Sequence, residues 1–600
     1  MKTRNTPTLL IAIVAGFNRT RFFSIVRIAI AGTLISAAAV MAVILGTETL
    51  VTVGSPPSLH PQNLQTEPAL AVDAAHPNVL AAGAWDLIDY EACNAGDDTF
   101  CAGAVGMGAS GVYFSFDSGH TWIQPTYTGY SARFGINNSC LGVVGPDPGC
   151  TPDPQGPIGT VPWYYENGLI SWGDPAVAFG PRPDANGNFS WTNGSRLYYA
   201  NLALNVGETF RGAQAIYLSR TDDVAAAAAG DKSAWMQPVL VSRQNSTLRS
   251  DKDQIWADNA ASSPFFGNVY IFYTAFRSQN GSAVPIMVSV SSDGGNTWTT
   301  KQVTQAATNV QHGYRVGSTI RTDSNGVVYL FFTHFAIGFP AVGTHAMVKS
   351  YDGGHTWTRP QDIVSMNDAC YNFDPFSFQC VEDGIAGARM DLSAAPSVDI
   401  ANGAPTGADA TDEIVDTWVD GRLGLNNEKV MLSYSTNGGD SWSSPTAISS
   451  AGDRGFYAAA AISPIGQDLY IGYNAFTTPY RTNTSDPRSL VGVVLHADIG
   501  TDGAPTGWTE LHRSPPGDPR GSASDPFVTA EFLGDYVYAI ATSTYGAVVW
   551  NDTRNAADCP AVDAWRMSLR GGPPAPQPAP QQDCPSTFGN ADIFSWTSAP

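Results

Sequence analysis

One eight-residue frame occurs four times in this chain and restricts what the chain can fold into. The copies share the pattern S-x-D-x-G-x-T-W and occupy residues 115–122, 291–298, 350–357 and 435–442. In the last copy Asn437 replaces the acid and Ser441 replaces the threonine. Alternating apolar residues precede three copies, as in 285–290, which is typical of a strand ending where the frame begins. Because Asp binds backbone N–H groups of its own turn and Gly supplies positive φ, the frame predicts repeated hairpin turns.

A second, looser repeat consists of paired strands. Each pair begins with an apolar strand rich in small residues and continues with an aromatic-rich strand, from 68–73 with 79–85 to 536–540 with 547–550. Small residues are expected where strands converge on the axis of a ring. Seven such pairs predict an all-β chain of seven four-stranded units, or six if the first and last units share one. An array of β-sandwiches is the alternative, and it fits this spacing less well.

The repeated frame resembles the Asp-box, or bacterial neuraminidase repeat, of the sialidase-like β-propellers. The resemblance covers about residues 60–570 at the level of repeats. It implies a β-propeller whose boxes lie on the rim, away from the substrate pocket. The box residues are therefore predicted to be turn and packing elements and not catalysts.

The two ends of the chain differ from its repeated body. Residues 28–46 carry no charge and follow Arg19, Arg21 and Arg27, so a helix there would just cross a membrane with the N-terminus inside. This segment is either a signal peptide or a retained anchor, and the absence of a convincing cleavage site favours the anchor. The predicted organisation is listed by segment: 1–54, cytoplasmic N-terminus and signal or anchor helix; 55–66, linker; 67–570, propeller; 571–600, Pro-rich tail.

Eight cysteines fall into four pairs that are close in sequence. They are Cys93 with Cys101, Cys140 with Cys150, Cys370 with Cys380, and Cys559 with Cys584. None has the CxxC spacing of a zinc or redox site. The pairs predict four loop disulfides and hence an oxidising, extracytoplasmic location, either secreted or anchored to a membrane.

Charge and motifs exclude several functional classes. The chain has 53 acidic and 31 basic side chains, a net charge of −22, so it should repel nucleic acids. It contains no P-loop, dinucleotide-binding fingerprint or serine-hydrolase elbow, and its nine histidines lack metal-ligand spacing. We therefore predict no cofactor, no metal and no nucleic-acid partner, and expect a monomer that binds a glycan or a cell-surface ligand.

Charged residues recur just before the first strand of successive units, where a propeller would place them around one mouth. The acids are Glu67, Asp174, Asp251, Asp253 and Asp535, and the bases are Arg315, Arg389 and Arg454. The arginines are predicted to bind an anionic substrate, and Asp251, Asp253 or Asp174 to supply a proton. Tyr314 and Tyr457 are candidate nucleophiles or stacking platforms. The alternative, which the frequency of structural charge networks favours, is that these charges pair across the axis.

The resemblance implies a specific chemistry, which the sequence matches only in part. Sialidases bind the substrate carboxylate with three arginines, use a Tyr activated by a Glu as nucleophile, and use an Asp as acid/base. The Phe/Tyr-Arg-Ile-Pro motif that carries the first arginine is absent here, and Arg133 does not replace it by pattern. Two hypotheses follow: an exo-α-sialidase type of glycoside hydrolase acting on acidic glycans, or a non-catalytic cell-surface propeller that binds glycan or protein. The missing motif favours the second, and the arginine cluster supports the first.

Overall fold

A computed structural model describes most of the chain after its N-terminal segment. The described residues are 46–93, 106–141, 149–277, 284–305, 314–336, 342–374, 376, 379–522, 528–530 and 533–599. Apart from Gly46, the predicted signal or anchor segment 28–46 lies outside them. No helix within the described residues is both long and apolar enough to cross a membrane.

The described part of the chain is all-β, as predicted. Its strands are β1 (Thr47–Leu50), β2 (Gln65–Val72), β3 (Leu80–Asp86), β4 (Ser110–Ser115), β5 (Tyr127–Ser131), β6 (Asp153–Ile158), β7 (Leu169–Ser171), β8 (Ala176–Pro183), β9 (Phe189–Asn205), β10 (Ala215–Thr221), β11 (Val239–Leu240), β12 (Leu248–Ala257), β13 (Val269–Arg277), β14 (Ile286–Ser291), β15 (Thr299–Gln302), β16 (Tyr314–Thr322) and β17 (Val328–Phe335). They continue with β18 (Val342–Ser350), β19 (Gln361–Asn367), β20 (Phe373–Asp374), β21 (Gln379–Val381), β22 (Arg389–Met390), β23 (Ser397–Ile400), β24 (Ile414–Asp420), β25 (Lys429–Ser435), β26 (Thr446–Ala447), β27 (Arg454–Ile462), β28 (Asp468–Phe476), β29 (Leu490–Ile499), β30 (Pro505–Arg513), β31 (Tyr538–Ala541), β32 (Gly546–Asp552) and β33 (Asp592–Thr597).

Helices are few and short. The α-helices are α1 (Val224–Ala228), α2 (Pro560–Ser568) and α3 (Pro580–Asp583). Short 3-10 turns span Ile136–Asn138, Tyr165–Asn167, Lys232–Ala234, Glu382–Gly384 and Pro519–Gly521. Helix α1 lies in the connection between β10 and β11, and helices α2 and α3 lie in the connection between β32 and β33. Both pairs of strands are antiparallel, so these helices occupy long loops and not parallel crossovers.

Seven antiparallel sheets account for most of the strands. They are sheet I (β2-β3-β4), sheet II (β8-β9-β10-β11), sheet III (β12-β13-β14-β15), sheet IV (β16-β17-β18-β19), sheet V (β23-β24-β25-β26), sheet VI (β27-β28-β29-β30) and sheet VII (β31-β32-β33-β1). Strand β7 also pairs with β9, while β5-β6 and β20-β21-β22 form two small sheets in insertions.

The first strands of the seven sheets form a ring. Strands β2, β8, β12, β16, β23, β27 and β31 each contact the next, and β31 contacts β2. Small side chains permit this approach, as in the run Ala458–Ala461 of β27, where three of the four alanines are buried. Apolar clusters then fill the space between neighbouring sheets, so each sheet is covered on both faces.

The four repeated frames form the predicted turns after the third strand of their sheets. In the copy that follows β18, Ser350 donates a hydrogen bond to Asp352 (2.9 Å) and accepts one from the N–H of Gly354 (2.8 Å). Asp352 also accepts bonds from the N–H and hydroxyl of Thr356. The other three copies repeat this pattern, and each Trp packs into the apolar layer between its own sheet and an adjacent one.

The two ends of the chain meet in sheet VII, which corrects the predicted segment boundaries. Strand β1, predicted to belong to the N-terminal segment, pairs antiparallel with β33, predicted to belong to a Pro-rich tail. The carboxylate of Glu48 on β1 binds His512 (2.6 Å) and Arg554 (2.5 Å), two residues near the opposite end of the chain. Both strands are short, and neither belongs to a repeat, so nothing local in the sequence indicates their pairing.

We expect Glu48→Gln to weaken this closure. Burial by itself would raise the pKa of Glu48, but hydrogen bonds from His512 and Arg554 lower it to about 2. The carboxylate therefore contributes stability above its unfolded pKa of about 4.5, and this contribution is lost as pH falls towards 2. Urea unfolding at pH 7 should show a loss of about 1–3 kcal/mol that shrinks below pH 4.5. The exposed Glu208→Gln is the control, and an equal loss at pH 7 and pH 3 would contradict the ion-pair explanation.

Three of the four predicted disulfides are confirmed. They are Cys140–Cys150, Cys370–Cys380 and Cys559–Cys584. The fourth predicted pair includes Cys101, which lies outside the described residues. Disulfides persist in oxidising compartments, so these three bridges indicate an extracytoplasmic environment.

Candidate active site

A cleft of about 650 Å³ opens at the end of the ring where the first strands begin. Its charged lining residues are Glu67, Asp174, Arg249, Asp251, Lys252, Asp368, Arg389 and Asp391. Its aromatic lining includes Trp85, Trp172, Phe276 and Phe335. Such a mixture of convergent charges and aromatic faces is typical of a site for a polar small molecule or sugar.

Disulfide-bonded insertions support two walls of the cleft. The ring centroids of Trp85 and Trp172 lie 5.7 Å apart, and both rings pack against a small apolar cluster that includes Cys140. On the opposite side, Cys380 of β21 lines the cleft itself, next to Arg389 of β22. Bridges at these positions limit the motion of the walls, so the lining side chains are held by a stiffened backbone.

Three lining residues have left-handed backbone conformations that L-residues other than Gly rarely adopt. The φ angles are 57° for Glu67, 52° for Asp174 and 57° for Lys252. Strand pairing shifts register around Glu67 and around Lys252, so these two residues lie in β-bulges. Each such residue costs about 1–3 kcal/mol, a strain that often occurs at functional sites because it aims backbone and side chain at a ligand.

The bulges connect neighbouring sheets by side chain to backbone hydrogen bonds. The N–H of Glu67 donates to Asn551 (3.2 Å), that of Asp174 to Glu67 (2.9 Å), and that of Lys252 to Asp174 (2.9 Å). The Lys252 ammonium reaches across the ring and binds Asp535, and it lies 4.0 Å from Asp174. The first strands of sheets I, II, III and VII are thus joined at the floor of the cleft.

Asp174 and Asp251 share one backbone donor, and their pKa values are shifted in opposite directions. The N–H of Lys252 donates to both carboxyl groups, at 2.9 Å to Asp174 and 3.0 Å to Asp251. Burial and the charges of neighbouring acids raise the pKa of Asp174 well above its usual range, so it is protonated. Burial acts in the same direction on Asp251, but Lys252, Arg249 (3.3 Å away) and a bond from Asp174 lower its pKa below the usual value. Asp251 is therefore the ionised member.

Asp368 supplies a second carboxyl group of different character. It follows β19, is partly exposed, and accepts a hydrogen bond from the hydroxyl of Ser393 (3.2 Å). Burial, together with the charge of Asp391, raises the pKa of Asp368 to about 6. One cleft thus contains an ionised carboxylate and a carboxyl group that holds a proton close to neutral pH.

The structure separates the three arginines that were predicted to converge. Arg389 lines the cleft and lies 3.2 Å from Asp391. The buried guanidinium of Arg454 instead binds Asp383 (2.7 Å) and Glu428 (3.0 Å), and neither of these acids lines the cleft. Arg315 does not line it either and donates to the carbonyl of Gln305 (3.3 Å). Arg454 is thus compensated by structural partners that the sequence pattern did not identify.

The predicted acids and tyrosines are also divided. Asp251 lines the cleft, whereas Asp253 and Tyr457 lie beneath it, each 1% exposed. Burial raises the pKa of Asp253 and of Tyr457 well above their usual ranges, so the Tyr457 phenol stays neutral. Tyr314 begins β16, and its side chain lies outside the described part of the chain.

Several lining residues were not predicted. Lys252 stands between Asp251 and Asp253 in the sequence. A lysine between two candidate site acids was the feature from which its position at the cleft could have been predicted. Asp368 and Asp391 flank the insertion that Cys370 and Cys380 close, which belongs to no repeat. Their position at the cleft becomes evident only once the insertion folds back over the ring.

Comparisons with known proteins find similarity to solved structures alone. No protein-family model matches the chain, and no curated protein matches it. A protein of unknown function from Dyadobacter fermentans is 12% identical with a TM-score of 0.37, covering 72% of this chain and 100% of that one. The microbial sialidase Hz136 is 13% identical with a TM-score of 0.36, covering 68% of this chain and 63% of that one. The intramolecular trans-sialidase from Ruminococcus gnavus is 12% identical with a TM-score of 0.38, covering 71% and 94%. These values transfer neither site residues nor an activity to this chain.

Proposed function

We propose that this chain is an extracytoplasmic glycoside hydrolase built on a seven-bladed β-propeller, with the cleft as its active site. The closed ring of first strands supports the propeller, with sheets I to VII as its blades. One observation carries the activity: the same cleft contains Asp251, kept ionised by its cationic neighbours, and Asp368, whose pKa is raised to about 6. Two carboxyl groups whose environments separate their pKa values are the chemical requirement for acid/base cleavage of a glycosidic bond.

Each carboxyl group has a defined role in the proposed reaction. Asp368 donates its proton to the glycosidic oxygen, so the departing group leaves as a neutral alcohol. Asp251 acts on the other face of the sugar, either by activating water or by attacking the anomeric carbon. Water supplies the hydroxyl group that ends on the sugar, and its second proton restores the acid. The tilted rings of Trp85 and Trp172 provide apolar faces against which a pyranose or furanose ring can pack.

The charge of the cleft favours a neutral glycan over a sialic acid. Five acids and three bases line it. The three bases already have carboxylate partners: Arg249 lies beside Asp251, Lys252 binds Asp535, and Arg389 lies beside Asp391. A sialidase-type substrate would bring a carboxylate for which these three bases are already paired, and it would require arginines that converge on that carboxylate. Exo-cleavage of an acidic glycan is therefore the less favoured form of the proposal.

A panel of aryl glycosides tests this function. Purified protein would be incubated with aryl glycosides of neutral hexoses and pentoses and with an aryl sialoside, and aglycone release would be measured. We expect release from at least one neutral glycoside and at least tenfold slower release from the sialoside. The opposite order would retain the hydrolase but restore the acidic substrate. Failure to cleave any member, at any pH from 4 to 8, would reject the hydrolase.

A glycan-binding propeller without catalysis is the second candidate, and one observation favours it. The carboxyl groups of Glu67 and Asp174 accept hydrogen bonds from backbone N–H groups of neighbouring sheets, which is a structural use of cleft acids. A binding protein would bind oligosaccharides with equal affinity in the wild type and in Asp368→Asn, without any turnover. Calorimetry on both proteins, followed by product analysis of the same samples, separates the two candidates.

A further inference from the structure

Beneath the cleft, the ring encloses an axial cavity of about 60 Å³. We define the axial cavity by Asp253 of β12, Tyr457 of β27, and Asp535 and Tyr536, which precede β31. The register shift between Asp251 and Gln254 turns Asp253 inwards, on the side of the strand opposite to the cleft. The cavity is therefore separate from the proposed catalytic groups, although it shares the Lys252–Asp535 contact with them.

Polar atoms without partners converge on this cavity. Both carboxyl oxygens of Asp253, one oxygen (Oδ1) of Asp535 and the hydroxyls of Tyr457 and Tyr536 have no hydrogen-bond partner among the described residues. Asp253, Asp535 and Tyr457 are each 1% exposed. Buried polar groups in folded proteins almost always form hydrogen bonds, because leaving a neutral group without one costs about 1–3 kcal/mol. Five such atoms around one cavity are available to an ion or to water.

The ion pairs around the cavity leave one acid without a partner. The charged residues that line the cavity are Asp253, Asp535, Lys252 and Arg321; Lys252 binds Asp535, and Arg321 binds Asp399. Oxygens of Glu67, Asp174 and Asp535 lie within 4.8 Å of one another, but the Lys252 ammonium already binds Asp535 there. No described cation contacts Asp253, which is therefore the uncompensated acid of the group.

We propose that the axial cavity binds a divalent hard cation, Ca²⁺, through the carboxylate of Asp253 and the free oxygen of Asp535. Calcium prefers carboxylate and other oxygen ligands, and the five unbonded atoms named above are all oxygens. The tyrosine hydroxyls would complete the shell through water, since a cavity of this size admits very few molecules besides the ion. The ion would join sheet III to sheet VII across the ring and stabilise the fold, independently of glycoside hydrolysis.

A conservative variant tests the carboxylate ligand. Asn at position 253 has the shape of the neutral acid, so Asp253→Asn should fold while losing a carboxylate ligand.

Metal binding to the full chain tests the site. Protein stripped with EDTA would be titrated with CaCl₂ by calorimetry and with TbCl₃ by luminescence, because the tyrosines beside the cavity can sensitise Tb³⁺. We expect one Ca²⁺ per chain, a higher melting temperature in CaCl₂, and Tb³⁺ emission that Ca²⁺ displaces. Asp253→Asn should weaken binding at least as strongly as loss of an outer-shell partner does, about 10–100-fold.

A matched variant excludes the other candidate cluster. Asp468, His496 and Asp498 on sheet VI also lie close enough to share an ion, and they are more exposed. Asp468→Asn should leave the affinity for Ca²⁺ and the rise in melting temperature unchanged. Equal affinity in wild type and Asp253→Asn, loss of binding in Asp468→Asn, or no calcium binding to the wild type at all would each overturn the proposal.

Discussion

Asp251→Asn is expected to lower kcat/KM for the preferred glycoside by about 10²–10⁴-fold, the usual contribution of a positioned acid or base. The variant keeps the shape of the side chain and its hydrogen bond with the N–H of Lys252. It removes the negative charge that Arg249 and Lys252 stabilise. Because Asn can neither accept the proton of water nor attack the anomeric carbon, the loss should fall on kcat more than on KM. Steady-state kinetics on the best substrate of the panel measure it.

Asp222→Asn is the matched control for Asp251→Asn. Asp222 also pairs with arginines, at 2.6 Å from Arg196 and 3.2 Å from Arg182, but it does not line the cleft. We expect its kcat/KM to remain within about twofold of the wild-type value, with only a loss of stability. Retention of full activity by Asp251→Asn would remove Asp251 from the mechanism.

The largest expected effect on stability belongs to a buried ion pair between sheets IV and V. Nδ1 of His345 lies 2.7 Å from Asp416, and its Nε2 lies 2.8 Å from the carbonyl of Ala394. Burial raises the pKa of Asp416, which by itself works against an ion pair. We nevertheless assign the ring as an imidazolium, because both of its nitrogens face acceptors. Neither His345 nor Asp416 has an exposed side chain. Asp416→Asn should lower the free energy of unfolding by about 3–5 kcal/mol, because it leaves a buried cation without its counter-charge.

The pH dependence gives this prediction a sign. Burial by itself would lower the pKa of His345, but the charge and hydrogen bond of Asp416 raise it above 6.5. A group whose folded pKa is raised contributes its full stability below the unfolded pKa, and the contribution is lost as pH rises through the folded value. Urea unfolding should therefore separate wild type and Asp416→Asn most at pH 6 and less at pH 9. A double-mutant cycle with His345→Gln isolates the pair, and an additive cycle would contradict the coupling.

Features of the fold that depend on short stretches of sequence were predictable. The frame at 350–357 forms its turn from hydrogen bonds among its own residues, so the sequence pattern alone predicts the turn. The paired strands have alternating apolar residues, which are read without knowledge of distant contacts. The repeat placed Glu67, Asp174 and Asp535 around one mouth of the ring, and in the structure their carboxyl oxygens lie within 4.8 Å of one another.

Features that depend on distant residues were not predictable from the pattern. Strand β1 pairs with β33 almost the whole chain away, so it was assigned to a terminal segment. Arg454 occupies the expected position in the repeat, but Asp383 and Glu428 bind its charge away from the cleft. Asp368 reaches the cleft from a region without a repeat. Repetition predicts where strands begin, whereas the partners of each side chain depend on insertions that differ from sheet to sheet.

The role of Asp368 as the proton donor is the central claim, and one comparison of rates tests it most directly. Asp368→Asn would be assayed on two glycosides of the same sugar, one with an alkyl and one with a dinitrophenyl leaving group. A dinitrophenolate departs without protonation, whereas an alkoxide does not. We predict that Asp368→Asn cleaves the alkyl glycoside at least 100-fold more slowly than the wild type and cleaves the dinitrophenyl glycoside within about fivefold of it. Equal losses on both substrates, or no loss on either, would contradict the assignment of Asp368 as the acid.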